Sequence, residues 1–202
     1  MALTLTPITE PEKLDEYYRF RYRIYSDSGM QRFVIDAGGL DKNPFDERAR
    51  HYGWYVDGTL AGCVRFIEPD GSAVPIPTLA VLNGGLGTAV RSYVAEREAL
   101  SQPMAEASRF CLAQAYRGLR TTREFVLAMV ATMQPLGYEH GVFNCRQEHS
   151  QFYRTLGFDP LHNGGGQYVP CLEETLVVFQ CDFAKLVGKN ARLRELISSF
   201  KK

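Results

Sequence analysis

The 202-residue chain is 45% hydrophobic and 12% aromatic, enough to bury a sizeable core, and it is read as a single domain over 1–202. Its 23 Lys and Arg balance 23 Asp and Glu, so no net field selects for nucleic acid or an anionic membrane. The five cysteines, Cys63, Cys111, Cys145, Cys171 and Cys181, form no C-x-x-C pair, which argues against a disulfide framework or zinc site and for buried thiols in a reducing cytosol.

MALTLTPITEPEKL has no basic region followed by an apolar run, and no later segment approaches the roughly 20 apolar residues of a membrane span. A cytoplasmic protein with no membrane span is expected. Thr9 and Glu12 have capping-box spacing, and Leu14, Tyr17, Tyr18, Ile24 and Tyr25 follow at helical spacing, which predicts an amphipathic helix over 10–26. The Gly- and Asp-rich run that follows, to about residue 50, reads as a long loop with one helical turn. Phe33, Val34 and Ile35 in it either close over substrate or anchor the loop.

HYGWYVDGTLAGCVRFI predicts a hairpin turning at Asp57-Gly58, a dipeptide suited to a tight primed turn. Residues 71–84 read as a loop, 86–99 as a helix and 104–112 as a buried strand. Thr121 and Glu124 form a second capping box, opening a helix over TREFVLAMVATM that stops near Gly137. A strand over 139–146, a short helix over 149–156, one or two strands over 167–183 and a single basic-ended terminal helix complete the chain. This order predicts an α/β fold with a mixed, mostly antiparallel sheet and helices on both faces. His140, His149 and His162 are scattered, which predicts surface positions and no metal site.

Within the predicted strand MAEASRFCL, two ionisable groups stand among small and apolar residues. Period-two alternation places Glu106, Ser108 and Phe110 on one face and Ala107, Arg109 and Cys111 on the other. Glu106 and Arg109 therefore point apart unless a bulge intervenes. Desolvation of a carboxylate in such a strand raises its pKa toward the range useful for a base. The alternative for Glu106 is a structural ion pair with Arg109 or a neighbouring strand.

HSQFYRTLGF, at 149–158, resembles the helix-and-turn signature of the GNAT acyltransferase superfamily through Phe152, Tyr153, Leu156, Gly157 and Phe158. Arg21 to Tyr25 as R-x-x-I-Y, the acidic pair Asp41 and Asp46, Gly62 to Arg65 as G-x-x-R, and Glu106 to Phe110 as E-x-S-R-F are similar to autoinducer synthases and N-acyl amino acid synthases. These motifs occur in the same order across roughly residues 20–160. The chain departs from the autoinducer pattern in two ways. Its one tryptophan is Trp54, and the expected E-x-D-x-x-D cluster reads L-D-K-N-P-F-D. Those departures, with His51 just after the acidic pair, point toward the N-acyl amino acid synthases.

The resemblance implies a GNAT-like fold and an N-acyltransferase that moves a fatty acyl group from an acyl thioester to the α-amino group of an amino acid or related amine. The donor would be acyl carrier protein (acyl-ACP) or acyl-CoA as co-substrate, with no tightly bound cofactor. It leaves open an S-adenosylmethionine-dependent acyl-homoserine lactone synthase and an acetyl-CoA-dependent N-acetyltransferase. From another class, a non-catalytic acyl-thioester-binding domain also fits.

Among the residues, Glu106 would take the amine proton, Ser108 belongs to the same catalytic motif, and Tyr153 would protonate the leaving thiolate. Arg21, Asp41, Asp46, Arg65 and Arg109 would bind or support the amine substrate; the alternative for each is a scaffolding ion-pair network. Where acetyl-CoA-using members carry a glycine-rich pyrophosphate loop, this chain reads A-Y-R-G-L-R-T-T-R. Arg117, Arg120 and Arg123 there either meet an acidic carrier protein or are merely solvated. Phe125, Met129, Val130 and Met133 either line an acyl tunnel or form plain core.

Overall fold

The computed structural model describes residues 3–35, 37–163 and 165–199. The chain folds as two compact units, the first of residues up to Ile67 with Ser108–Met129, the second of Glu68–Ala107 with residues from Val130 onward.

In the first unit, β1 (Thr6–Ile8) pairs antiparallel with β2 (Arg50–Val56), and β2 with β3 (Thr59–Ile67). The hairpin turns at Asp57 and Gly58, with φ of 49° and 75°, the two left-handed residues that a primed turn needs. Helix α1 (Pro11–Asp27) buries Tyr17, Tyr18, Phe20 and Ile24 against Ile8, Leu60, Cys63 and Cys111. The neighbouring Gly62 faces the opposite side. There a Cβ would come within 2.6 Å of the Phe125 ring and 2.7 Å of Leu112, so Phe125, from α4 (Leu119–Met133), covers the second face. Helices therefore flank both faces of these strands.

In the second unit, the Met104–Glu106 part of β4 (Met104–Leu112) runs parallel to β5 (His140–Arg146), with Glu106 opposite Val142. Strand β8 (Glu174–Asp182) pairs antiparallel with β5, with β6 (Asp159–Pro160) and with β7 (Gln167–Val169). The helices are α2 (Thr78–Val81), α3 (Gly84–Ala99), α5 (Ser150–Thr155), α6 (Phe183–Lys189) and α7 (Ala191–Ser199). This is the expected mixed, mostly antiparallel α/β arrangement. Among the described residues no helix is long and apolar enough to cross a membrane.

Several local expectations are corrected. Helix α1 has Glu10, not Thr9, at its N-cap, without a side-chain bond, and Pro11 supplies the first helical φ. Thr121 likewise lies inside α4, whose hydrogen bonds start where Thr122 N meets Gly118 O. The loop after α1 holds two 3₁₀ turns, Gln31–Phe33 and Pro44–Arg48. The expected single terminal helix is broken at Asn190, whose Oδ1 accepts from Leu193 N at the start of α7; its basic end lies outside the described residues. His140 is buried because β5 pairs it with Asp182 and Met104, whereas His149 and His162 are exposed. Four of the cysteines are buried and Cys171 is exposed.

Candidate active site

The five charged residues singled out as substrate-binding candidates come together in the first unit. Arg21 projects from α1. Its Nε donates to Asp41 Oδ2 at 2.8 Å, and its Nη1 and Nη2 fork onto Asp46 at 2.7 and 3.2 Å. Arg65, from β3, donates Nη1 to Asp46 Oδ1 at 2.7 Å and to Asn43 Oδ1 at 3.2 Å, and Nε to Ser108 Oγ at 3.0 Å. Arg109 pairs with Asp41 at 2.8 Å and donates Nη2 to Phe33 O at 2.8 Å. Three guanidiniums thus face two carboxylates. Arg21, Asp41, Asp46 and Arg65 are almost wholly buried, while Arg109 retains some exposure.

The 3₁₀ turn at Pro44–Arg48 holds Asp46 in place: Asp46 Oδ2 accepts from Asn43 N at 2.9 Å while Asn43 Oδ1 accepts from Phe45 N at 3.0 Å. Burial opposes the Asp46 charge, but the Arg21 and Arg65 guanidiniums prevail and hold its carboxyl well below the usual carboxylate range. Burial pulls the Arg65 guanidinium down, with Asp46 opposing. His51 packs edge-on to Tyr17 and Tyr18, and its Nε2 donates to Asp46 O at 3.1 Å. Burial, outweighing the nearby Asp46, pushes its imidazole down to about 4, so the ring is neutral at physiological pH.

The strand alternation expected for Ser108 and Arg109 is corrected. Arg109 has φ of 55°, a left-handed conformation that costs of order 1–3 kcal/mol for such a residue and persists only where its surroundings hold it. Here Asp41, Phe33 O and the Tyr25 ring do so. The irregularity brings Ser108 to Arg65 and Arg109 to Asp41, on the α1 side, while Phe110 turns to Phe125. Phe33 stacks on Tyr25 and Ile35 is exposed, so these members of the loop triplet separate.

The second unit holds Glu106, fully buried, whose Oε2 accepts from Thr78 N at 2.8 Å. Thr78 Oγ1 accepts in turn from Asn144 Nδ2 at 2.7 Å. Tyr153 lies in an aromatic group with Phe143, Phe158 and Phe179, at ring separations of 4.7, 6.0 and 5.8 Å. Burial pushes its phenol above the ordinary range.

Arg117, Arg120 and Arg123 are exposed around the start of α4. Arg117 is also tied down, with Nε on Leu112 O at 2.9 Å and Nη2 on Ser28 Oγ at 3.0 Å. Phe125, Met129, Val130 and Met133 are all buried.

Asn43, Thr78 and Asn144 escaped the sequence reading. Asn43 carried a signal in N-P-F-D, an N-cap residue before proline with an acid three positions on. Asn144 carried the same signal as Glu106, a polar residue inside an apolar strand. Thr78, in P-I-P-T-L, carried none.

No curated protein matches this sequence. Among solved structures, the fold is similar to FeeM, an N-acyl amino acid synthase from uncultured soil microbes, with a TM-score of 0.70 and 14% identity over 95% of this chain and 96% of that one. It is similar to MesI, a CoA-dependent acyl-homoserine lactone synthase, with a TM-score of 0.65 and 16% identity over 96% and 95%. An N-acetyltransferase from Staphylococcus aureus Mu50 aligns with a TM-score of 0.52 and 10% identity over 91% and 99%. Identities this low carry the fold alone. Residues 20–126, more than half of the chain, match the acetyltransferase (GNAT) domain model, and the chain belongs to that family.

Proposed function

We propose that this protein is an N-acyltransferase that joins a fatty acyl group, delivered as a thioester on acyl carrier protein or CoA, to the α-amino group of an amino acid or related amine. The observation that carries the reading is Glu106, a fully buried carboxylate whose Oε2 is oriented by a backbone amide within the E-x-S-R-F stretch. The likeness in fold to an N-acyl amino acid synthase supports the same class.

In this reading the free amine attacks the thioester carbonyl carbon, the C–N bond forms, Glu106 takes the amine proton, and the C–S bond breaks as the tetrahedral intermediate collapses. A free α-amine titrates near roughly 8, so a modest base suffices at neutral pH. Tyr153 supplies the proton that the leaving thiolate takes up. The Arg21, Arg65 and Arg109 group, with one guanidinium more than its carboxylates, favours an acceptor that carries its own carboxylate. Ser108 orients Arg65. The exposed Arg117, Arg120 and Arg123 suit an acidic carrier protein, and the reaction is placed in the cytoplasm, where such donors are made.

The test is thiol release from long-chain acyl carrier protein, long-chain acyl-CoA and acetyl-CoA, each with pooled amino acids or with S-adenosylmethionine, and with products identified by mass. Amide formation from a long-chain donor and an amino acid is expected. A lactone product would move the protein to homoserine lactone synthesis, and turnover with acetyl-CoA alone would make it an ordinary N-acetyltransferase. Donor-induced thermal stabilisation without turnover would leave a binding domain. Glu106→Gln is expected to slow transfer by about 10²–10⁴-fold while the chain stays folded; an unchanged rate would remove Glu106 from the chemistry.

A further inference from the structure

Thr78 is clamped by two strands at once. It opens α2, a four-residue helix inside the irregular segment between β3 and α3, and a first-turn amide has no partner within its own helix. That amide donates to Glu106 Oε2, on β4, at 2.8 Å. The hydroxyl of the same residue accepts from Asn144 Nδ2, on β5, at 2.7 Å. Strands β4 and β5 are parallel, with Glu106 opposite Val142. Asn144 therefore shares the face of Val142, two residues further along. Thr78 is fully buried and Asn144 half-buried. An asparagine in an apolar strand is costly unless bonded, and here its amide is spent on a loop hydroxyl.

Thr78 O also accepts from Leu82 N at 3.1 Å, but that bond lies along α2, so the bonds to β4 and β5 are the ones that fix the residue against the two strands. We infer that Asn144 is a positioning residue for acyl transfer: by holding Thr78 Oγ1 it fixes the Thr78 amide on Glu106, and so fixes the orientation of the carboxylate that receives the amine proton. This rests on the role of Glu106 proposed above. A carboxylate held to within a fraction of an ångström of its productive place is a requirement of proton transfer in a site of this kind.

The experiment combines a readout that needs no turnover with one that does. Hydrogen exchange at the Thr78 amide, followed by NMR on the labelled full chain, is compared among wild type, Asn144→Ala, Thr78→Val and Thr78→Ser. Asn144→Leu, nearer in volume, replaces the alanine variant if that chain unfolds. Exchange is expected to be ~10-fold faster or more in Asn144→Ala and Thr78→Val, and close to wild type in Thr78→Ser, which keeps the hydroxyl. With long-chain acyl-CoA or acyl carrier protein and amino acids, kcat is expected to fall about tenfold in the first two variants with KM for the amine unchanged, and to recover in Thr78→Ser.

The double variant should be no slower than either single one, because both break the same link. Unchanged amide exchange in Asn144→Ala overturns the clamp whatever the enzyme turns over. Faster exchange with full kcat, in a protein that Glu106→Gln inactivates, overturns positioning while the functional reading stands. Full activity of Glu106→Gln removes the functional reading and, with it, any catalytic meaning of the clamp.

Discussion

Arg21 and Asp46 form a forked pair, Nη1 on Oδ1 at 2.7 Å and Nη2 on Oδ2 at 3.2 Å, with both side chains withdrawn from water. Asp46 serves Arg65 as well, at 2.7 Å, so one carboxylate compensates two buried guanidiniums. Removing one partner of a buried pair leaves an uncompensated charge, at a cost of about 3–5 kcal/mol. Asp46→Asn, which preserves shape, should lose stability of that order in urea unfolding. A loss below about 1 kcal/mol would show that the pair contributes little net stability.

Acid should act on this cluster in two steps. The His51 imidazole sits at about 4 in the fold, below roughly 6.5 for a free histidine, so between these values the unfolded chain binds a proton that the fold does not. Stability therefore declines as pH falls through that window, by about 3 kcal/mol. Below about pH 4 the Asp46 carboxyl, depressed in the fold, is protonated first in the unfolded chain, and its contribution is lost in turn. The urea midpoint of His51→Gln should fall less steeply than that of wild type from neutral pH to the onset of the second step, the remaining decline coming from His140, whose imidazole burial also pulls down; a decline parallel to wild type would assign the first step to another group.

Gly62 has no room for a side chain. A Cβ there would lie 2.6 Å from Phe125 Cε2, 2.7 Å from Leu112 Cδ2 and 3.2 Å from Cys111 O. Gly62→Ala must push the buried Phe125 ring aside, and overpacking of this kind costs about 1–3 kcal/mol. Calorimetry should show a lower Tm; an unchanged Tm would mean that α4 shifts at no cost.

Tyr153 offers a separation of packing from chemistry. Burial among Phe143, Phe158 and Phe179 pushes its phenol above the ordinary range. Tyr153→Phe keeps the ring and removes only the hydroxyl. Thermal stability should change by less than about 1 kcal/mol, while kcat for thiol release falls roughly 10–100-fold if the hydroxyl protonates the leaving sulfur. An unchanged kcat would assign the residue to packing.

The sequence by itself determined the elements whose signals are local. Helical spacing from Leu14 to Tyr25 marked α1, and Asp57-Gly58 between two aromatic and β-branched runs marked the hairpin, because turn chemistry and periodicity need no distant partner. The resemblance of their motifs to autoinducer and N-acyl amino acid synthases also named Arg21, Asp41, Asp46, Arg65 and Arg109. Tertiary structure decided who compensates whom. Nothing in E-x-S-R-F discloses that Arg109 adopts a left-handed φ, and that one dihedral brings Ser108 to Arg65 and breaks the expected alternation. Nor does P-I-P-T-L disclose that a threonine 28 residues from Glu106 gives it an amide. Such contacts arise where strand register and loop path bring remote residues together, and sequence distance carries no record of either.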